Sequence, residues 1–537
     1  MPLIKSSRRL DTLIISLLFL GAVALASVLP SLNLTVFSSP DETAAFLVSE
    51  RLAHQQPVVV AEPLAEFFSW LHPRSWISQS KSIAPVGFLG WSWFLSFIGI
   101  FGSLLIPWAA SIITASGVVP LFLLLKSRFG RGAAVMGSLV YATFPTIVFY
   151  TNRSLFSNGA FITFGLWLFL LIQKLVQMEE RGKGSVLYRR AAYVLVGLMT
   201  ALTLSFRPFE AIWFLPWLLW MGRKLSPTKG ETYALTFGVL CVALPLALQA
   251  NLAYGSPWLS GYLVHDNPVA QVLHLQATEQ TAAQGSNVLF RFLPFGLHPR
   301  NAIWNIRHFL LEFLWPWICL FVAATIVYVR LQRRAGKKLI SAPIILMAWT
   351  TGILFVVYGS GLYLDNVRVG AITIGNSFLR YLVPLVPILA FATAFLWKEA
   401  IRFKYARPII ALFILLLCLY GPFKAYIEDD EGLFYTRTEL IRYAELRQET
   451  AKWFGEKAII LSERSDKIFF PDFRAVSPLP SPEEVGRLIK ESGVKVALYV
   501  RPLSQKDRDS WREQGIELDD LTSSGRERLY LLRSIRP

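Results

Sequence analysis

The sequence predicts a polytopic α-helical membrane protein with about eleven transmembrane helices and a small outward-facing C-terminal α/β domain. Three observations predict it. Of the 537 residues, 54% are hydrophobic and the mean hydropathy is +0.46, too apolar for a soluble enzyme. Apolar runs of roughly 17 to 25 residues recur along the chain, separated by short basic loops. Beyond residue 424 these runs stop, and shorter strand-like and amphipathic patterns replace them.

The spans fall at residues 10–30, 93–125, 132–150, 158–176, 191–206, 209–222, 232–251, 308–329, 340–358, 379–397 and 408–424. With a cytoplasmic N-terminus, Lys126, Arg128, Arg131, Arg181, Lys183, Arg189, Arg190, Arg223, Lys224, Arg330, Arg333, Arg334, Lys398 and Arg402 all fall in inner loops. The short outer loops then carry only Arg153, Arg207, Arg368 and Arg380. The net charge of +17 is thus spent on topology, and no basic–aromatic stripe points to nucleic acid. Cys241, Cys319 and Cys418 lie inside apolar runs, which argues against a disulfide framework.

Residues 1–424 form the expected transmembrane module. Two long outer loops interrupt it, over 31–91 and 251–307, and an extracytoplasmic α/β domain follows over 425–537. In that tail, residues 439–454 have helical spacing, 458–461 and 494–500 read as buried strands, and 529–532 as a last strand. Residues 482–492 read as a helix with Ser481 as its N-cap.

The chemistry is expected in the first outer loop. After Pro40 the pattern favours a helix to about His54, opened by Asp41 and Glu42, where the helix dipole favours acidic groups. A carboxylate at the lipid–water boundary is well placed to act as a base, although first-turn capping alone also explains the pair. The two side chains point about 100° apart around the helix, so Asp41 is the better candidate base and Glu42 a support. Arg74 and Lys81 follow in the same loop and can bind a phosphate, or simply be solvated.

The order of these features resembles the GT-C glycosyltransferases. It is similar to their protein O-mannosyltransferase and aminoarabinose-transferase type. The likeness rests on one span, then Asp41-Glu42 opening a long loop, then Ser127-Arg128-Phe129-Gly130. It continues through Ser205-Phe206-Arg207-Pro208-Phe209-Glu210 and Phe378-Leu379-Arg380-Tyr381-Leu382-Val383-Pro384-Leu385. Residues 151–158, where many members carry a second acid, hold none here.

The resemblance implies a polyprenyl-phosphate-sugar donor and a lipid, glycan or protein acceptor, in the cytoplasmic membrane of a prokaryote. It implies inversion at the anomeric carbon with Asp41 as base. The leaving group is a phosphate, so its departure needs cations. Arg74, Lys81, Arg153, Arg207, His298, Arg300 and Arg380 are the candidates. Arg207 has a local partner in Glu210, and Arg380 is placed to snorkel at a span end. No cofactor is implied, and a divalent metal has no visible ligand cluster. Two other classes stay open: a lipid-linked sugar flippase or polymerase, and a non-catalytic membrane binding protein. The first would show charges at the midplane of spans and inverted repeats, and few of either are visible.

Overall fold

The computed structural model describes residues 2–182, 184–263, 295–363, 371–402, 405–428, 430–454, 458–524 and 527–535. The chain divides into two compact units. One gathers Met1–Ser31, Pro107–Pro245 and Leu273–Tyr435, the other Leu32–Ile106, Leu246–Val272 and Thr436–Pro537.

The first unit is helical. Among the described residues, six helices are long and apolar enough to cross a membrane: Leu105–Phe129, Ser157–Glu180, Val186–Phe206, Lys229–Tyr254, Trp315–Arg334 and Ala406–Ile427. These helices make the chain an integral membrane protein. The pair Arg131–Thr143 and Pro145–Asn152, bent by 55°, would make seven. Proline causes that bend: Pro145 pushes Phe144 into an extended conformation, and the helix stops before it. Each of the other predicted stretches also contains a helix, but Ala211–Gly222, Ala342–Val357 and Leu385–Ala400 are shorter, at 12, 16 and 16 residues.

The stretch expected as one span over 93–125 is broken into Leu89–Gly99 and a second run beginning at Leu105. Gly102, with φ of 143°, takes the turn between them. Gly130, with φ of 90°, ends Val118–Phe129 and lets the next helix start at Arg131. That corner is pinned to the first helix, Pro2–Leu25. Asp11 there accepts from Arg131 Nε at 2.7 Å and from Lys126 Nζ. The Ser127-Arg128-Phe129-Gly130 turn is thus held by the two basic residues on its flanks.

The second unit departs from the expected division at residue 424. The segment over 31–91 does not stand apart from the tail; the two share hydrophobic cores. Trp76, Ile77 and Ile83 are buried with Leu446, Ile460 and Phe470, and Phe68 and Leu71 with Ile459, Leu461 and Val485. The Trp76 and Phe470 rings lie 5.3 Å apart. A loop carrying this much apolar surface cannot remain solvated, and burial of that surface favours joining it to the tail.

The loop contributes a small antiparallel sheet, with strands β1 (Val60–Ala61), β2 (Trp76–Gln79) and β3 (Ser82–Pro85) in the order β1-β3-β2. The tail contributes five strands: β4 (Ile459–Ser462), β5 (Arg474–Val476), β6 (Val496–Val500), β7 (Ile516–Ser524) and β8 (Glu527–Ser534). Their order is β5-β4-β6-β8-β7, with β4 parallel to both neighbours and β8 antiparallel to both of its own. Helix Pro482–Ser492 begins with a capping box between Ser481 and Glu484.

Candidate active site

In the second unit, helix Pro40–Ala53 begins where the sequence predicts. Ser39 is the N-cap, and its side chain accepts from the Asp41 amide. The acidic pair is divided by burial. Glu42 is 3% exposed and accepts from Ser38 Oγ at 3.2 Å, whereas Asp41 stays partly exposed. Asp41 Oδ1 accepts from Ser75 Oγ at 2.5 Å. Ser75 has a positive φ of 63°, a backbone conformation uncommon for a residue other than glycine.

The residue before it, Arg74, is anchored in the tail. Its backbone amide and Nε each donate to the Asp466 carboxylate at 2.8 Å, and its Nη2 donates to the Arg464 carbonyl. Asp466 is fully buried and Arg74 only a quarter exposed. This geometry makes Arg74 a brace between loop and tail, with its guanidinium engaged by protein groups. A second brace joins buried Glu62 to Arg474 Nε at 3.1 Å; burial pushes the Glu62 carboxyl above the ordinary range, with Arg474 opposing. Lys81 lies at the tip of the β2–β3 turn, 69% exposed, and pairs with Glu66 at 3.3 Å.

The first unit brings three of the predicted cations together around aromatic rings. Arg207 precedes Pro208 and is extended, so helix Val186–Phe206 ends there. The following turn returns Glu210 to Arg207 Nε at 3.0 Å. Arg207 also donates to Asn158 Oδ1 at 3.3 Å and Tyr358 Oη at 3.4 Å, while Tyr358 Oη and Trp213 Nε1 donate to Glu210. Its local ion pair is therefore real and buried.

Tyr358 stacks on Tyr381 with centroids 4.2 Å apart. The Cζ of Arg207 lies 5.3 Å from the Tyr381 centroid, and that of Arg380 lies 5.2 Å from it. Arg380 Cζ is also 4.7 Å from the Phe156 ring, and Arg153 Cζ is 5.0 Å from the same ring. Arg153 and Arg380 are both partly exposed. Two partly exposed guanidinium groups thus rest on aromatic faces, and Arg380 Nη2 also donates to Tyr381 Oη at 3.3 Å.

No family model matches the sequence, and comparison with curated proteins gives no match. Among solved structures, the crystal structure of ArnT from Cupriavidus metallidurans bound to undecaprenyl phosphate matches with a TM-score of 0.52. The identity is 11%, over 97% of this chain and 97% of that one. The chain shares the fold of this ArnT structure. Apo ArnT from the same organism gives a TM-score of 0.49 at 11% identity, covering 98% of each chain. An oligosaccharyltransferase from Archaeoglobus fulgidus, solved with zinc and sulfate, gives 0.49 at 12% identity over 91% of this chain and 68% of its own.

Asn152, the last residue of helix Pro145–Asn152, falls in the stretch 151–158 where the resemblance leads one to seek a second acid. Its Oδ1 accepts from the Val28 and Leu29 amides, and its Nδ2 donates to the Leu25 carbonyl. An amide can do both and a carboxylate cannot, so this position closes the C-terminal end of the first helix. His298 is the N-cap of helix Pro299–Asn305 and donates its amide to Ser360 Oγ. Arg300, in the first turn, is exposed. Among the described residues, no three His, Cys, Asp or Glu side chains gather as metal ligands.

Sequence reading missed Ser75, Asp466, Phe156, Tyr358 and Tyr381. Ser75 and Tyr381 stand beside residues it did select, but their contacts span 34 and 23 residues, beyond any local periodicity.

Proposed function

We propose that this chain is an integral membrane glycosyltransferase that moves a sugar from a polyprenyl-phosphate donor to an acceptor on the outer face of the membrane. The observation that carries this reading is the full-length fold shared with ArnT, a protein solved with undecaprenyl phosphate bound. Asp41 is the proposed base: it is the member of the acidic pair that solvent reaches, and Ser75 orients it. The acceptor hydroxyl gives its proton to the Asp41 carboxylate as its oxygen attacks the anomeric carbon. The bond to the phosphate oxygen breaks, its electron pair leaves with the polyprenyl phosphate, and configuration inverts.

Within the first unit, Arg153 and Arg380 are the proposed cations for binding a lipid phosphate. Arg207 supports them: Asn158, which accepts from Arg207, donates to the Arg380 carbonyl at 3.2 Å. Glu42 is assigned to holding the helix start through Ser38. Arg74 serves as the brace described above, Lys81 as a solvated surface group, and His298 and Arg300 as loop residues without an assigned step.

The experiment is mass spectrometry of lipid-linked sugars in cells lacking the protein. Accumulation of one polyprenyl-phosphate sugar supports the reading and identifies the donor. An unchanged lipid profile would contradict it.

A further inference from the structure

Two adjacent residues of the tail reach both segments that frame Asp41. Helix Asp466–Phe469 begins with Asp466, which holds Arg74, the neighbour of the Ser75 that donates to Asp41. The next residue, Lys467, donates from Nζ to the Ser38 carbonyl at 2.6 Å. Ser38 adjoins the N-cap Ser39 and donates to Glu42. We infer that Asp466 and Lys467 form a clamp through which the C-terminal domain positions the Asp41 carboxylate. This inference rests on the reading of Asp41 as the base.

The clamp has a physical reason to be rigid on the Asp466 side. A buried carboxylate that receives a backbone amide and a guanidinium fixes both the course of the chain at residue 74 and the side chain above it. Ser75 then has little freedom, because its backbone is already held in the left-handed region. Asp466 touches no reacting atom in this account. It is a positioning residue, and it serves catalysis only through the Ser75–Asp41 bond. The Lys467 contact acts on the other side, on the segment that sets where helix Pro40–Ala53 begins. The C-terminal domain thereby acquires a role in transfer itself.

The test compares the full-length protein in detergent with Ser75→Ala, Asp466→Asn, Lys467→Met and the Ser75→Ala/Asp466→Asn double variant. The donor is the lipid-linked sugar purified from cells lacking the protein, and membranes of those cells supply the acceptor. Each single change should lower kcat about tenfold and leave KM for the lipid nearly unchanged, since positioning acts on the chemical step. The double variant should be no slower than Ser75→Ala, because Asp466 acts only through the Ser75–Asp41 bond that Ser75→Ala already removes. Multiplicative losses, near a hundredfold in the double variant, would overturn the clamp, as would full kcat in Asp466→Asn. If Asp466→Asn does not fold, unchanged kcat in Lys467→Met and Ser75→Ala overturns it by itself. Asp41→Asn is run beside them. Retained transfer in that variant defeats the base assignment, whereas loss there with full activity in the others defeats only the clamp.

Discussion

Ser75 Oγ donates to Asp41 Oδ1 across 2.5 Å, and this bond ties the segment just before β2 to the start of the helix that carries the acidic pair. A hydrogen bond to a charged group contributes about 1.5–3 kcal/mol. Ser75→Thr, which keeps a hydroxyl but adds a methyl group at a left-handed position, should recover only part of the activity lost in Ser75→Ala. Transfer rates of the two variants, measured side by side, check this.

Arg153 and Arg380 should govern lipid binding. Replacing either by alanine should weaken binding of undecaprenyl phosphate at least tenfold, about 1.4 kcal/mol. Lysine at position 380 should restore the charge but not the planar contact with Phe156 and Tyr381, and so only part of the affinity. Titration of the purified protein with undecaprenyl phosphate reads both effects.

Arg207 should behave differently. Its removal leaves Glu210, with a 2% exposed side chain, buried without its cation. Breaking such a pair costs about 3–5 kcal/mol. Arg207→Ala is expected to lower the unfolding temperature in detergent sharply, while Arg153→Ala should leave it nearly unchanged.

The two loop cations predicted beside Asp41 separate in the same way. Arg74→Ala strands a fully buried Asp466 and should destabilise the protein by a similar 3–5 kcal/mol or so. Lys81→Ala breaks only an exposed pair with Glu66, worth at most about 1 kcal/mol. Thermal unfolding of the two variants measures this contrast.

His72 gives the second unit a pH dependence. It is 3% exposed, and burial pushes its imidazole below the ordinary value, with the Pro73 carbonyl and the Asp466 charge opposing. A histidine depressed in the folded state contributes stability above its unfolded pKa of about 6.5 and loses it as pH falls through the folded value. Glu62 and Glu527, both raised by burial, act with the opposite sign. Their contribution is present below the ordinary carboxylate range and is lost as pH rises through their folded values. The unfolding temperature of His72→Gln should therefore fall less steeply than that of the parent as pH drops below about 6.5.

Local pattern carried much of the fold. Pro40 and the acids after it marked helix Pro40–Ala53, and Ser481 marked the start of Pro482–Ser492. The buried strands Ile459–Ser462 and Val496–Val500 stood out as continuous apolar runs. Strand Ile516–Ser524 did not, because Glu517, Asp519 and Asp520 give an edge strand a polar look. The union of loop and tail was hidden for another reason. Arg74 and Asp466 lie 392 residues apart, and nothing near either residue announces the other. Arg153, Arg207 and Arg380 were legible singly, as arginines in outer loops, but not as neighbours around shared rings.

The central claim is that Asp41 removes the acceptor proton. The most direct measurement is transfer by purified Asp41→Asn from the lipid-linked sugar that accumulates in cells lacking the protein, with Glu42→Gln as companion. The account predicts no detectable transfer by Asp41→Asn at an unchanged unfolding temperature, and substantial residual transfer by Glu42→Gln. Transfer by Asp41→Asn at the parent rate would contradict it.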